Sequence, residues 1–341
     1  MLARTSTLKH PAGPELQTPL FVFSFSSKGF RFKRHKGREI SEVADLVKLA
    51  SEYLNEAVLL SAYDLKYYLP EPKILRKDRL VPKLIFVDSG GYETIDDFDL
   101  AEIYKYPVSV KKWDHKKHEQ VLNDWPDYSP AVIISYDHGN EKRRTFKRQV
   151  NNAMVLFSKY PSHLNNFLIK PNKKGGKLNI KEIVNEAHLL STFNIIGLAE
   201  KELGDSIVER MQNIKAIRFA LDNNKIQAPI HIFGNLDPLT SVMYFLAGAE
   251  IFDGLSWLRF GFHEGRTHYV QNIDAIKRRF HAKDYLNQRT TLVENIIYMS
   301  SLQAEMRAFL KDFPEKKEGA LGNCFKHGAE QLKDVYQVIN S

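Results

Sequence analysis

The sequence predicts an α/β chain: a (β/α)8 TIM-type barrel with a C-terminal helical extension. Three observations point there. About eight apolar runs of strand length recur along the 341 residues, most of them apolar at consecutive positions, as parallel strands buried on both faces require. Helix-like segments separate the runs, and this alternation is the pattern of a closed barrel. A long helical pattern with no strand after it follows. The barrel is read over residues 1–283 and the extension over 284–341. An open doubly wound sheet is the structural alternative.

In order, the runs are Leu20–Phe25, Val58–Ala62, Leu84–Val87, Ala131–Tyr136, Phe167–Ile169, Asn194–Leu198, Ile230–Phe233 and Glu250–Asp253. Ser41–Ala57 places Val43, Leu46, Val47, Ala50 and Leu54 at helical spacing, with Ser41 as N-cap. Glu141–Tyr160, Ile180–Leu190, Asp205–Leu221 and Pro238–Ala247 read as helices too. Leu286–Phe313 is the long final pattern, suited to docking on the barrel, to a homodimer or to a partner subunit.

Composition narrows the function classes. The 49 Lys and Arg against 41 Asp and Glu leave a net charge of +8, which favours a polyanionic partner. The single cysteine, Cys324, excludes an intramolecular disulfide and a multi-cysteine zinc site. The first residues lack an apolar leader core, and no run approaches the ~18 apolar residues of a membrane span. The expected location is the cytoplasm, with no membrane partner.

Active sites of such barrels lie at the C-terminal ends of the strands. Asp88, Asp137 and Asp253 follow the third, fourth and eighth runs, so the barrel reading brings three carboxylates to one mouth. An Asp after a strand often caps the next helix or makes an Asx turn, but three at one mouth weigh against that use for all. The stretch F-V-D-S-G-G-Y-E at 86–93 also invites a serine-nucleophile reading for Ser89. That chemistry needs a His base and an Asp orienter, which the context does not offer. Ser89 reads instead as a turn hydroxyl beside Asp88, and Gly90 and Gly91 allow close backbone approach to a ligand.

Four basic clusters follow strands: Lys28–Arg38, Glu141–Arg148, Lys170–Lys177 and Arg259–His268. Any one alone reads as a solvated loop. Together, with aromatics interleaved, they suggest a nucleic-acid surface, with Lys28, Arg31, Lys33, Arg34, Lys173, Lys174, Arg259 and Arg266 as its cations. The Lys173–Lys177 loop also suits a lid or a phosphate site.

The order of motifs resembles the tRNA-guanine transglycosylase superfamily, over about Leu84 to Gly261. V-D-S-G-G-Y-E is similar to its D-S-G-G-[FY]-Q, and S-Y-D to its strand-four aspartate. N-I-I-G-L-A-E, H-I-F-G-N-L-D-P and A-G-A-E-I-F-D-G-L-S-W-L-R match three further motifs in the family's order. The resemblance implies guanine exchange in a nucleic acid for a 7-deazaguanine base. Asp253 would be the nucleophile and Asp88 the general acid/base. Asp137 would read the base edge and Tyr92 would stack on it. Ser89, Gly90, Gly91, Gly197, Leu198 and Ala199 would complete the base pocket.

The chain also departs from that pattern. The family's cysteine-rich zinc site has no counterpart, which implies no zinc subdomain, no metal and no cofactor. Lys170-Pro171-Asn172 stands where the family's strand-five glutamine reads the base, and Glu93 replaces a Gln. The pattern is more like the family's DNA-modifying branch than its tRNA enzymes. Exchange on tRNA, a non-catalytic barrel that binds nucleic acid or a partner subunit, and an unrelated barrel enzyme for a phosphorylated metabolite are the alternatives.

Overall fold

The computed structural model describes every residue except 1, 29, 31, 36–37, 70–81, 95–109, 137–143, 174, 313–320, 322–324, 326 and 341. Side chains at 32–35, 38–39, 312 and 339–340 are likewise outside the description. In chain order the elements begin with β1 (Thr7–Lys9), β2 (Glu15–Gln17), β3 (Leu20–Phe25), β4 (Phe32–His35), β5 (Arg38–Ser41) and α1 (Val43–Ala50). Then come β6 (Ala57–Ser61), α2 (Ala62–Tyr67), β7 (Leu84–Asp88), α3 (Gly91–Thr94), α4 (His115–Asn123), β8 (Ala131–Ile134), α5 (Phe146–Phe157) and β9 (Leu164–Ile169). The rest are α6 (Ile180–Asn185), β10 (Ile195–Ala199), α7 (Ile207–Asn223), β11 (Ile230–Phe233), α8 (Pro238–Leu246), β12 (Ile251–Gly254), α9 (Ser256–Arg259), β13 (Phe260–His263), β14 (Arg266–Tyr269), α10 (Val270–Ile276), α11 (Asp284–Asp312) and a last helix, Ala329–Asn340.

Eight strands close into one parallel barrel in the order β10-β11-β12-β3-β6-β7-β8-β9. The fold is therefore the (β/α)8 barrel, and the open sheet is excluded. The eight apolar runs are these strands. Their boundaries differ where polar residues join the ladder. β9 starts at Leu164 because Asn165 and Asn166 pair with Ile133 and Ile134. Three two-stranded sheets, β1–β2, β4–β5 and β13–β14, lie outside the predicted pattern.

By contacts the chain divides into two compact units. One comprises Met1–Leu8, Leu16–Phe23 and Gly176–Ser341. Its β10, β11 and β12 are fully buried runs apart from Phe233. Asp237 caps α8 by accepting from Leu239 N and Thr240 N, with Pro238 in the first turn. α11 docks within this unit: the Asn295 amide bonds Phe262 N, Trp257 O and Phe260 O, and Gln303 Oε1 accepts from Phe21 N. Trp257 of α9 is fully buried with its ring edge-on to Phe23, 5.2 Å between centroids.

The other unit comprises Lys9–Glu15 and Ser24–Gly175. β6, β7 and β8 pair side by side as continuous apolar strands. α5 buries Phe146, Gln149, Val150, Ala153, Leu156 and Phe157, the three-and-four spacing of one helical face. The predicted Ser41 cap is corrected: Ser41 ends β5, and α1 starts from Glu42 without a side-chain cap. Ser41 pairs with Phe32 in the hairpin, one residue before the N-cap position, and its Oγ accepts instead from Val43 N at 3.3 Å. Among the described residues no helix is long and apolar enough to cross a membrane.

Candidate active site

Asp88 is the last residue of β7, and its Oδ2 accepts from Gly90 N at 3.1 Å. That bond is an Asx turn, so the carboxylate is oriented by its own loop. Gly90 makes the turn possible. Its φ is +82°, and an added Cβ would lie 2.8 Å from both Trp113 Nε1 and Tyr63 Cβ. Ser89 is fully buried, and its carbonyl accepts from Trp113 Nε1 at 2.8 Å.

Gly91 opens α3, which carries Tyr92 and Glu93. Lys28 Nζ lies 4.3 Å over the Tyr92 ring and donates to the Tyr92 carbonyl at 3.0 Å. One ring face therefore carries a cation, and a stacked base would use the other. Glu93 is buried and accepts from Ser26 Oγ and, at 2.8 Å, from Ser61 Oγ. Asp64, on α2, is fully buried too; it accepts from Ser27 Oγ and from Ser27 N at 2.6 Å. Burial, and next the Glu93 charge, push the Asp64 carboxyl well above the usual carboxylate range. Burial also pushes Glu93 up, against the pull of the Ser26 and Ser61 hydroxyls. Asp64, Ser26, Ser27 and Ser61 carry no motif in the sequence. Only their position after β3 and β6 could have signalled them.

In the first-described unit, Asp253 lies one residue from the end of β12 and is 5% exposed. Gly234 N, at the end of β11, donates to its Oδ1 at 3.3 Å. His231 Nε2 is 3.2 Å from the same oxygen, within ion-pair distance if the ring is protonated. His231 is fully buried, with its ring 4.0 Å from that of Phe233. It stands in the quoted H-I-F-G-N-L-D-P motif, yet its neighbour was not legible there. Asp253 is not a helix cap: α9 starts from Leu255 with no side-chain cap. Gly197, Leu198 and Ala199 are buried in β10, in register with His231, Ile232 and Phe233.

The structure thus groups Asp88, Ser89, Gly90, Gly91, Tyr92 and Lys28 in one place. It groups Asp253 with His231 and Gly234 in another, and both aspartates sit at C-terminal strand ends. Arg259 ends α9 half-buried, and Arg266 is exposed on β14. Lys173 is exposed. Lys33 and Arg34 lie on β4, with side chains outside the description. Arg31, Asp137, Lys174 and Cys324 lie outside the described residues. Among the described residues no three His, Cys, Asp or Glu groups are placed to hold a metal ion.

No protein-family model matches the chain. Among curated proteins, a stretch of 156 residues is 21% identical to the heat-inducible transcription repressor HrcA of Enterococcus faecalis (strain ATCC 700802 / V583). The match covers 44% of this chain and 43% of that protein.

Proposed function

We propose that the protein is a transglycosylase that exchanges guanine in a nucleic acid, DNA in our reading, for a 7-deazaguanine-type base. The observation that carries the reading is the setting of Asp253. A strand-end Asp often caps a helix, but this one is buried, accepts from Gly234 N and has His231 Nε2 of the neighbouring strand 3.2 Å from the same oxygen. Burying a carboxylate is costly, and a fixed, dry carboxylate at a barrel-strand end is what nucleophilic displacement at a sugar carbon uses.

In this reading a carboxylate oxygen of Asp253 forms a bond to C1′ as the C1′–N9 bond breaks, and the bond pair leaves with the purine. Asp88, as the acid, protonates the departing guanine. The incoming base gives a proton to the Asp88 carboxylate, attacks C1′ and displaces Asp253. The two displacements retain configuration at C1′. A base must leave its stack to enter a barrel mouth, so nucleotide flipping is part of the reading. In this reading Tyr92 stacks on the base, the Gly197–Ala199 backbone supplies contacts to it, and Lys28, Arg259 and Arg266 meet phosphates.

The test is incorporation of labelled guanine into double-stranded DNA, single-stranded DNA or bulk tRNA. Label entering DNA alone is the expected result. Label entering tRNA alone would keep the chemistry and change the polymer. Binding of polymers without exchange would leave a binding protein. Asp253→Asn should abolish exchange while leaving polymer binding within about twofold; normal exchange in that variant removes its role as nucleophile.

A further inference from the structure

A cavity of about 290 Å³ opens between β8, β9 and α5, within the unit that holds Asp88. His115, Tyr136, Arg144, Asn152, Phe167 and Lys170 are among its walls. Its described lining contains two permanent cations and a histidine but no carboxylate. Among the described residues Glu119 pairs with His115, its Oε1 3.7 Å from His115 Nδ1, and the same oxygen is taken up by Lys159 Nζ at 2.5 Å. Among the described residues the walls therefore carry positive and no negative charge.

The rim is built rather than casual. The Gln149 side chain donates to Arg144 O at 2.8 Å and to Lys170 O at 2.9 Å, and accepts from Lys170 N at 3.0 Å. One buried amide thus ties both cationic residues to the helix. Arg144 Nε is buried and makes no hydrogen bond. A buried donor left unpaired is costly and calls for an acceptor. The opposite wall is apolar, with Phe167 and Leu156, and the Tyr136 ring meets His115 edge-on at 5.1 Å. The volume is at the small end of ligand pockets, room for one ring and one anionic group.

We propose that this cavity binds a small phosphate monoester carried on a single aromatic ring, its phosphate paired with Arg144 and Lys170 and its ring against Phe167. Two permanent cations beside a histidine suit a dianion better than a single carboxylate, and a guanidinium can grip two phosphate oxygens at once. None of its described walls belongs to the Asp88 or Asp253 groups, and Lys170 alone stands at a position that the base-exchange family uses to read the base.

Isothermal titration with phenyl phosphate, inorganic phosphate and phenol tests it. Phenyl phosphate should bind at least about tenfold more tightly than either fragment. Arg144→Gln should weaken it by about tenfold or more, with unchanged thermal melting. Asn152→Trp, which fills the cavity and removes no charge, should abolish binding as well, and serves if Arg144→Gln does not fold. No binding of phenyl phosphate to the full chain, phenol binding as tightly, or equal affinity in both variants would overturn the proposal.

Discussion

At the scale of single residues, two glycines with nearly the same backbone angle separate conformation from space. Gly90 and Gly234 have φ of +82° and +81°, but an added Cβ at Gly90 meets Trp113 and Tyr63, whereas at Gly234 nothing lies within 4 Å. Gly234→Ala should cost about 1 kcal/mol from the left-handed backbone alone. Gly90→Ala should cost about 3 kcal/mol, because packing strain adds to it. Urea unfolding of both variants checks the difference; equal losses would mean that Trp113 and Tyr63 yield freely. The buried acids give a second residue-scale expectation. Asp64 and Glu93 have folded-state pKa values above their unfolded ones. Their contribution is fully present below the ordinary carboxylate range and is lost as pH rises through the raised values. Glu93→Gln keeps the shape and removes one of these titrations. Its stability relative to the parent should therefore rise as pH climbs from the ordinary carboxylate range through the raised value of Glu93. His118 works in the opposite sense: burial, then His115, lower it to about 3, so it costs stability as pH falls. The readout is accordingly the difference between variant and parent, in which His118 cancels. A flat difference would show that Glu93 is not held protonated.

At the scale of elements, the length of α11 was legible from its pattern, but its role was not. Its buried face carries Asn287, Thr291, Asn295 and Gln303 among Leu292, Ile296, Met299, Leu302, Met306 and Phe309. A face so rich in amides and hydroxyls reads from sequence as solvent-exposed. It is buried because Asn295 satisfies three backbone groups around β13 and Gln303 satisfies one of β3. Asn295→Ala should cost about 3 kcal/mol and leave the Phe262 amide unpaired. Hydrogen exchange at Phe262 should then quicken more than at α7 amides; uniform protection would mean that water replaces the amide. Two basic clusters also changed character at this scale. Lys28–Arg38 includes the β4–β5 hairpin, and Arg259–His268 includes β13–β14, so Arg266 is displayed on a paired strand rather than a free loop.

At the scale of the whole molecule, the excess of eight positive charges gives the nucleic-acid reading a quantitative form. The logarithm of the affinity for a duplex oligonucleotide should fall linearly with the logarithm of salt concentration. Arg266→Ala should reduce the magnitude of that slope by about one. An unchanged slope would remove Arg266 from the phosphate contacts. By itself the sequence determined buried parallel strands alternating with helices, and only the structure chose the closed barrel over the open sheet. Consecutive apolar residues at Leu84–Val87 are satisfied by burial on both faces, and that is local information. It also placed Asp88 and Asp253 at strand ends. The tertiary structure alone decided which polar groups are buried and what they touch. It showed that Asp253 leans on His231 and Gly234 rather than capping α9, that Asp64 and Glu93 lie beneath serines, and that Arg144 faces a cavity. Burial of a polar side chain depends on partners brought from distant parts of the chain, and no window along the sequence contains them.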